Sequence, residues 1–498
     1  MNTNLPEQTV VIGGGIAGMA CAALLAKSGH TVRLIEKHDD LGGRNRKWIH
    51  KGFHFDMGPS WYWMPDVFER FFQHFGHSHT DFYSLKRLDP SYQVFWDDHA
   101  PTPLPARIEG ITELFDRFEP GSGTRLTRFL REAGIKYNTA MADFVYRPSL
   151  ALTEYADLNL IRKSLRLDLF QSMAKHIRKF VRDPHLIQLL EFPILFLGAK
   201  PAETPALYSM MNYADMVLGT WYPLGGMTKL SEAFHRILLE QGVEVITGTE
   251  VNDLVTENDV VRAVATNRGL YEADLVISGA DYHHTEQDLL PSQARTYSEK
   301  YWQKRVMAPS SLLFYIGFKE QIPGLLHHNL FFDAPFAAHA TSIYDTHAWP
   351  EDPLFYVCCP SKTDPHCAPA GQENVFVLIP LSTRLDDDPA KHDYYFDQVL
   401  TRMEKQLGRR IKDQVLFKRS YCIEDFKTDY HAFRGNAYGM ANTLKQTGPL
   451  RPKIRSNKVR NLYYTGQLTV PGPGLPPAVI SGEVVANYIL KNHNMKLV

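Results

Sequence analysis

The chain has 498 residues and a mass of 56.8 kDa, 44% hydrophobic and 22% charged, which is ordinary globular usage with length for two or three domains. Lysine plus arginine number 54 and aspartate plus glutamate 55, a formal charge of −1 that argues against a general nucleic-acid binder. Five cysteines and the absence of biased tracts exclude a secreted disulfide scaffold, a collagen-like fibre and a disordered chain.

Residues 9–26 carry no charge and have the length of a leader peptide. Glu7 stands where a basic segment belongs, however, and glycines 13, 14, 15 and 18 interrupt the run. No other stretch is long and apolar enough to cross a bilayer, so a cytoplasmic protein without a transmembrane helix is expected.

The same residues make a better strand and helix. Thr9-Val10-Val11-Ile12 suits a strand buried on both faces. Gly13-Gly14-Gly15-Ile16-Ala17-Gly18 follows, then an alanine- and leucine-rich helix to Lys27 that stops at Gly29. Thr31-Val32-Arg33-Leu34-Ile35 is a second strand, closed by Glu36. Strand, G-x-G-x-x-G, helix, strand and acid in register mark a dinucleotide site. Gly13 permits the turn, Gly15 the approach of a pyrophosphate, and Gly18 close helix–strand packing, while Glu36 accepts from ribose hydroxyls and repels a 2′-phosphate. Leu41-Gly42-Gly43-Arg44 adds a second clamp for the pyrophosphate, and Asp56-Met57-Gly58-Pro59-Ser60 reads as a turn under a planar ring, which favours FAD over NAD.

Further along, Phe68, Phe71, Phe72 and Phe75 fall on one helix face and read as core, whereas Trp61, Tyr62 and Trp63 are candidates for a substrate wall. Residues 92–106 resemble strands of a substrate sheet, and 119–146 read as one or two helices opened by Pro120-Gly121-Ser122-Gly123. The segment 160–182 interleaves Arg162, Lys163, Arg166, Lys175, Arg178, Lys179 and Arg182 with apolar residues, a pattern that suits a helix lying on an anionic membrane or packed on its own domain. Three strand-like runs, 243–247, 260–266 and 271–278, are expected to form a β-meander before the chain returns to the nucleotide domain. Residues 311–379 are strand-rich, and Asp386-Asp387-Asp388-Pro389 reads as a solvated turn.

Near the end, Asn461-Leu462-Tyr463-Tyr464-Thr465-Gly466-Gln467 is a buried strand running into a glycine turn. Pro471-Gly472-Pro473-Gly474-Leu475-Pro476-Pro477 then leads into a helix over 478–490. A helix N-terminus there directs N–H groups and partial positive charge at the pyrimidine end of a flavin, favouring its reduced form.

Taken with the N-terminal unit, these motifs resemble the bacterial-type phytoene desaturases, within the wider carotenoid desaturase and amine-oxidase-like flavoproteins. The likeness extends through Phe55 to Ser60, Tyr222-Pro223-Leu224-Gly225-Gly226-Met227, Ala280-Asp281 and Gly435-Asn436-Ala437-Tyr438-Gly439. Gln467 departs from it, since relatives often carry alanine or an acid there. The resemblance implies an α/β fold with α+β insertions: a Rossmann-like FAD-binding domain of the glutathione-reductase type, a mixed-sheet substrate domain and a helical, membrane-facing lid. The expected division is 1–90, 222–285 and 420–498 for FAD, 91–120 and 286–419 for substrate, and 121–221 for the lid. The expected FAD contacts are Gly13, Gly15, Ile16, Ala17, Gly18, Glu36, Lys37, Gly43, Arg44, Gly58, Pro59, Ser60, Val251, Gly466, Gln467, Gly474, Leu475 and Pro476.

The implied reaction oxidises C–C single bonds of a C40 polyene, phytoene first among the candidates, by hydride transfer to the flavin. Quinone or oxygen is the implied acceptor, and peripheral contact with the inner face of the cell membrane delivers the substrate. A later carotenoid, an amine (with Lys229 as the nearest candidate lysine), isomerisation on reduced flavin, or isoprenoid carriage remain as alternatives. No catalytic base is assigned: His54, Glu191 and Asp215 read as structural. His74, His77 and His79, and Cys358, Cys359 and Cys367 with His366, match no metal-site spacing, so no metal is expected.

Overall fold

The computed structural model describes residues 8–155, 168 and 171–492. A five-stranded parallel sheet takes its strands in the order Leu462–Tyr464, Leu275–Ser278, Thr9–Ile12, Val32–Ile35 and Glu244–Ile246. Thr9–Ile12 lies at its centre with every residue buried, which is why that strand is uninterrupted β-branched sequence. Helix Ile16–Lys27 is buried continuously from Ile16 to Leu25, because the sheet covers one side while helices Leu475–Asn492 and Thr228–Glu240 pack on others. A Cβ at Gly18 would collide with the Gly13 carbonyl oxygen, so glycine is what lets this helix start directly above the strand.

The excursion between Val32–Ile35 and Leu275–Ser278 departs from the sequence expectation. Run 243–247 joins the parallel sheet as Glu244–Ile246 rather than the meander. The meander is Val251–Glu257, Val260–Thr266 and Gly269–Glu272, and run 271–278 is split at Ala273-Asp274 between the two sheets. Val251–Glu257 eludes the period-2 pattern because a register shift between Val251 and Asp253 sets its two buried residues, Val251 and Leu254, three apart.

A second, seven-stranded sheet runs Val415–Tyr421, Ser310–Phe318, Glu373–Leu381, Phe355–Cys358, His328–Phe332, Tyr92–Trp96 and Thr102–Leu104. It is mixed, since His328–Phe332 pairs parallel with Tyr92–Trp96 and its other pairings are antiparallel. Leu312, Phe314, Ile316 and Phe318 meet helix Pro389–Leu407 through Tyr395, Val399, Leu400 and Met403, while Leu313 and Tyr315 face the main core. The aspartate run ahead of that helix is not simply a solvated turn. Asp388 caps the helix by accepting from the Ala390 N–H, and Asp387 accepts from the Glu424 N–H at 2.9 Å and lies 2.7 Å from His392 Nε2.

Two helices, Ile108–Phe118 and Ser122–Asp143, cross the middle of the chain, the second opening after Gly121 as the turn residues imply. Part of the basic segment, 160–167, 169 and 170, lies outside the described residues. In the remainder, Met173, Ile177, Phe180 and Val181 are buried in the protein's own core while Lys175, Arg178, Lys179 and Arg182 are exposed. Among the described residues, no helix is long and apolar enough to cross a membrane.

Candidate active site

A cavity of about 740 Å³ opens at the carboxyl ends of the parallel strands, where ligands of open α/β sheets bind. One arm is made of backbone: Gly13, Gly15, Gly43, Gly279, Gly466 and Gly474 border it. The other arm is made of side chains, including Met141, Phe144, Tyr208, Met211, Leu313, Phe376 and Leu378.

In the glycine-lined arm, Gly15 caps helix Ile16–Lys27 with φ −72° and ψ 168°, values any residue adopts. A Cβ there would meet nothing nearer than Gly43 Cα at 3.9 Å, so the space above it is open to a ligand. The free N–H groups of that helix end, with Ile16 and Ala17, face the same opening. Arg44 sits opposite, its guanidinium 4.8 Å from the Tyr430 ring centroid and donating from Nη2 to the Asn436 carbonyl at 3.2 Å. Its Nε has no hydrogen-bond partner, and it makes no ion pair with any described carboxylate. Burial holds this guanidinium below its ordinary pKa, a sign of a cation that lacks its anion. Gln467 explains its neutral character here: with its carboxamide oxygen turned toward the donors, it accepts from Arg44 Nη2 at 3.0 Å and Nη1 at 3.2 Å without cancelling the charge.

Glu36 is buried, and its carboxylate accepts from the Gly14 N–H at 2.7 Å and the His38 N–H at 2.9 Å, which fixes it at the cavity edge. At the opposite end, Gly466, Gln467, Gly474, Leu475 and Pro476 border the cavity at the start of helix Leu475–Asn492. Gly58, Pro59 and Ser60 form its floor. The Ser60 hydroxyl lies 2.9 Å from the Tyr356 hydroxyl, which lies 2.6 Å from His328 Nδ1. The His328 ring is stacked on Trp61 with centroids 4.0 Å apart, and burial pushes it well below the usual histidine pKa, so it is neutral.

Comparison with known proteins agrees with this geometry. A family model described as "Flavin containing amine oxidoreductase" matches residues 16–490. The chain belongs to this family. Within it the chain groups with carotenoid desaturases: it is 38% identical to a carotenoid 3,4-desaturase of Haloarcula japonica over 98% of both chains. It is 30% identical to a zeta-carotene-forming phytoene desaturase of Myxococcus xanthus, over 97% of this chain and 94% of that one. Among solved structures, an oxidoreductase from Methanosarcina mazei superposes with a TM-score of 0.63 at 17% identity, covering 96% of this chain and 99% of that one. A cyclohexylamine oxidase from Brevibacterium oxydans gives 0.59 at 13% identity, covering 98% and 99%, and these two likenesses carry the fold.

The cofactor of this flavin oxidoreductase is therefore FAD, and the residues present fit it. The unpartnered Arg44 nitrogen, the open space over Gly15 and the helix N-terminus suit a diphosphate, and Glu36 suits ribose hydroxyls. Of the expected contacts, all border the cavity except Gly18, which lies behind the turn and acts through packing alone. Lys37 borders it, but its ammonium donates to the Thr428 carbonyl at 2.8 Å and lies 3.6 Å from Glu250, so it is committed away from the diphosphate. Val251 borders it from the first position of the meander.

Tyr430, His431, Thr249 and Glu250 also border the flavin arm and were not foreseen. No motif marks Tyr430, although Arg44 and Arg46 both pack on its ring. Trp61 and Trp63 line the cavity as expected of a substrate wall, whereas Tyr62 turns away to Tyr83 at 2.9 Å. None of His54, Glu191 and Asp215 lines it: His54 is exposed, Glu191 pairs with Arg178 at 2.6 Å, and burial raises Asp215 to about 7 beside the Tyr92 hydroxyl at 2.9 Å. Lys229 pairs with Glu232 at 2.7 Å, outside the cavity. His74, His77 and His79 face carboxylates of Glu483, Glu240 and Glu69 at 3.3, 2.8 and 2.7 Å.

Proposed function

We propose that this flavoenzyme desaturates a long carotenoid chain, converting a CH–CH bond to C=C by loss of a hydride and a proton from adjacent carbons. Continuity of the flavin arm with an arm walled by methionine, leucine and aromatic side chains carries the reading. Such a wall suits an extended hydrocarbon and offers an alkylammonium no carboxylate, and Lys229 lies outside the cavity.

Bound FAD supplies the hydride acceptor. Arg44 and the Ile16–Lys27 N-terminus would hold its diphosphate, and Glu36 its ribose hydroxyls. The N-terminus of helix Leu475–Asn492 points partial positive charge into the cavity, an environment that favours added negative charge. Met141, Phe144, Met211 and Leu378 hold the chain in register and exclude water, so positioning supplies most of the rate. The carboxylates bordering the cavity are already engaged: Glu36 by backbone amides, Glu250 by His431, Asp281 by the Phe433 N–H and Asp429 by Arg46. We therefore assign no general base.

The higher identity to the 3,4-desaturase favours a carotenoid later than phytoene as substrate. The domain reading stays as the sequence divides it, with a glutathione-reductase-type flavin domain supported by the parallel strand order and the three-stranded excursion. Exposed Lys175, Arg178, Lys179 and Arg182 support a lid at an anionic membrane, on its inner face, with quinone or oxygen as acceptor. The test is anaerobic incubation with liposomes carrying either phytoene or an already conjugated C40 carotenoid. Bleaching of the flavin with a red shift of the conjugated carotenoid is expected, and quinone or air then identifies the acceptor. A flavin that stays oxidised with both carotenoids but bleaches with an amine overturns the reading.

A further inference from the structure

Behind Tyr356 the fold gathers three side chains that flavin binding does not use. His328 opens strand His328–Phe332 and pairs antiparallel with Cys358 at the end of Phe355–Cys358. Directly opposite residues share a face, so the His328 ring and the Cys358 thiol project to the same side, and His327 precedes them in the chain. One ligating atom from each of His327, His328 and Cys358 lies within 4.8 Å of the others. All three are buried, at 4%, 0% and 2% exposure.

Each imidazole is held through one ring nitrogen. His327 Nδ1 lies 2.7 Å from the Thr363 hydroxyl, and His328 Nδ1 lies 2.6 Å from the Tyr356 hydroxyl. That leaves Nε2 free on each ring, and neither Nε2 has a hydrogen-bond partner. Paired buried imidazole nitrogens without partners are costly in a finished core. One ring nitrogen fixed by a hydroxyl with the other left open is the arrangement that orients metal-bound histidines. Rings of Tyr222 and Trp61 pack on His327 and His328 at 4.5 and 4.0 Å, keeping water out.

We propose that His327, His328 and Cys358 form a buried structural zinc site behind the cavity wall. Two imidazoles and one thiolate are a borderline-soft set that suits zinc over magnesium or calcium. On binding, the Cys358 S–H bond breaks, its proton passes to solvent and a Zn–S bond forms, with no change of oxidation state. Tetrahedral zinc at these bond lengths holds its ligand atoms about 3.3–3.8 Å apart, so side-chain shifts of about 1 Å complete the set. Cys367, whose thiol lies 3.3 Å from the hydroxyl of the Tyr222 ring that packs on His327, is a candidate for the fourth position. The ion would pin His328 and, through it, the Tyr356 hydroxyl on the cavity wall.

The test is the metal content of flavin-loaded enzyme produced with added zinc and then desalted, together with zinc-edge X-ray absorption. The expected result is one zinc per chain, with nitrogen at about 2.0–2.1 Å and sulfur at about 2.3 Å. Cys358→Ser and His327→Gln should each lower zinc occupancy about tenfold or more, and Thr363→Val should weaken retention by about 10–100-fold. Cys359→Ser should keep the zinc, because that thiol belongs to the core on the sheet's other face. Two results overturn the site: folded, flavin-loaded enzyme with far less than stoichiometric zinc, or zinc fully retained in both Cys358→Ser and His327→Gln. His327→Gln serves even if Cys358→Ser does not fold, and flavin absorbance reports folding throughout.

Discussion

The two arms of the cavity are built in opposite ways. The flavin arm is mostly main chain, with helix ends, turns and one half-buried arginine set by strand–turn–helix units contiguous in sequence. The apolar arm is mostly side chain, contributed by the end of helix Ser122–Asp143, by 207–211 and by the central strands of the seven-stranded sheet. Cofactor recognition is therefore local and backbone-encoded, whereas substrate recognition exists only after distant segments have packed. The arms should fail separately when altered.

Two neighbouring glycines give the largest contrast. Gly15 has an ordinary backbone conformation and open space beyond its Cα, so Gly15→Val should leave a folded protein whose FAD affinity falls by at least ~100-fold, the side chain filling the place of the diphosphate. Gly18 has no such space, and Gly18→Val drives a side chain into the Gly13 carbonyl, so folding and flavin are lost together. Circular dichroism with FAD titration of the apoprotein separates the two outcomes. Stoichiometric flavin in Gly15→Val would break the assignment of that space.

In the apolar arm the pattern should reverse. Phe144 borders the cavity and stacks on Tyr155 with centroids 6.0 Å apart. Phe144→Ala should leave flavin content unchanged and raise KM for the polyene by about tenfold, the effect of losing roughly 1.5 kcal/mol of apolar contact. Phe68, wholly inside the core, is the comparison: Phe68→Ala should cost about 3–5 kcal/mol of stability without a selective effect on KM. Equal KM values for Phe144→Ala and the parent enzyme would place the substrate elsewhere.

The same division explains what the sequence disclosed. The strand–glycine–helix–acid unit and the proline–glycine turn at 471–477 are legible because their spacing is the geometry. Nothing local marks Tyr430 as the shelf for Arg44, since the two residues meet only when the end of helix Ile423–Tyr430 closes over the turn. The register shift in Val251–Glu257 hid a strand, and Asp387 read as solvated because its partners, His392 and the Glu424 amide, come from other elements. Lys37 follows a motif position faithfully, yet its ammonium is drawn off by Thr428, a tertiary contact that no spacing rule contains. Phe144 and Met211 carry no motif, because any large apolar residue satisfies a hydrocarbon wall.

The smallest expected effect lies behind that wall. Trp63 lines the cavity and donates from its indole nitrogen to the Thr220 hydroxyl at 2.8 Å, and Thr220 donates to Asp215 at 3.2 Å. Burial raises the Asp215 carboxyl from the usual aspartate range to about 7, against the opposing hydrogen bonds from Tyr92 and Thr220. Below about pH 4 the group is protonated in folded and unfolded chains alike, and it makes stability no more pH-dependent. Between about 4 and 7 the unfolded chain releases the proton that the folded chain keeps, so stability falls as pH rises, and above about 7 the loss is complete. Asp215→Asn keeps an acceptor for Tyr92 and cannot ionise, so its unfolding midpoint should decline less across that window while flavin content stays constant. Parallel midpoint-against-pH curves for the two proteins would mean that Asp215 is ionised in the fold, and that the tryptophan wall rests on a charged support rather than a neutral one.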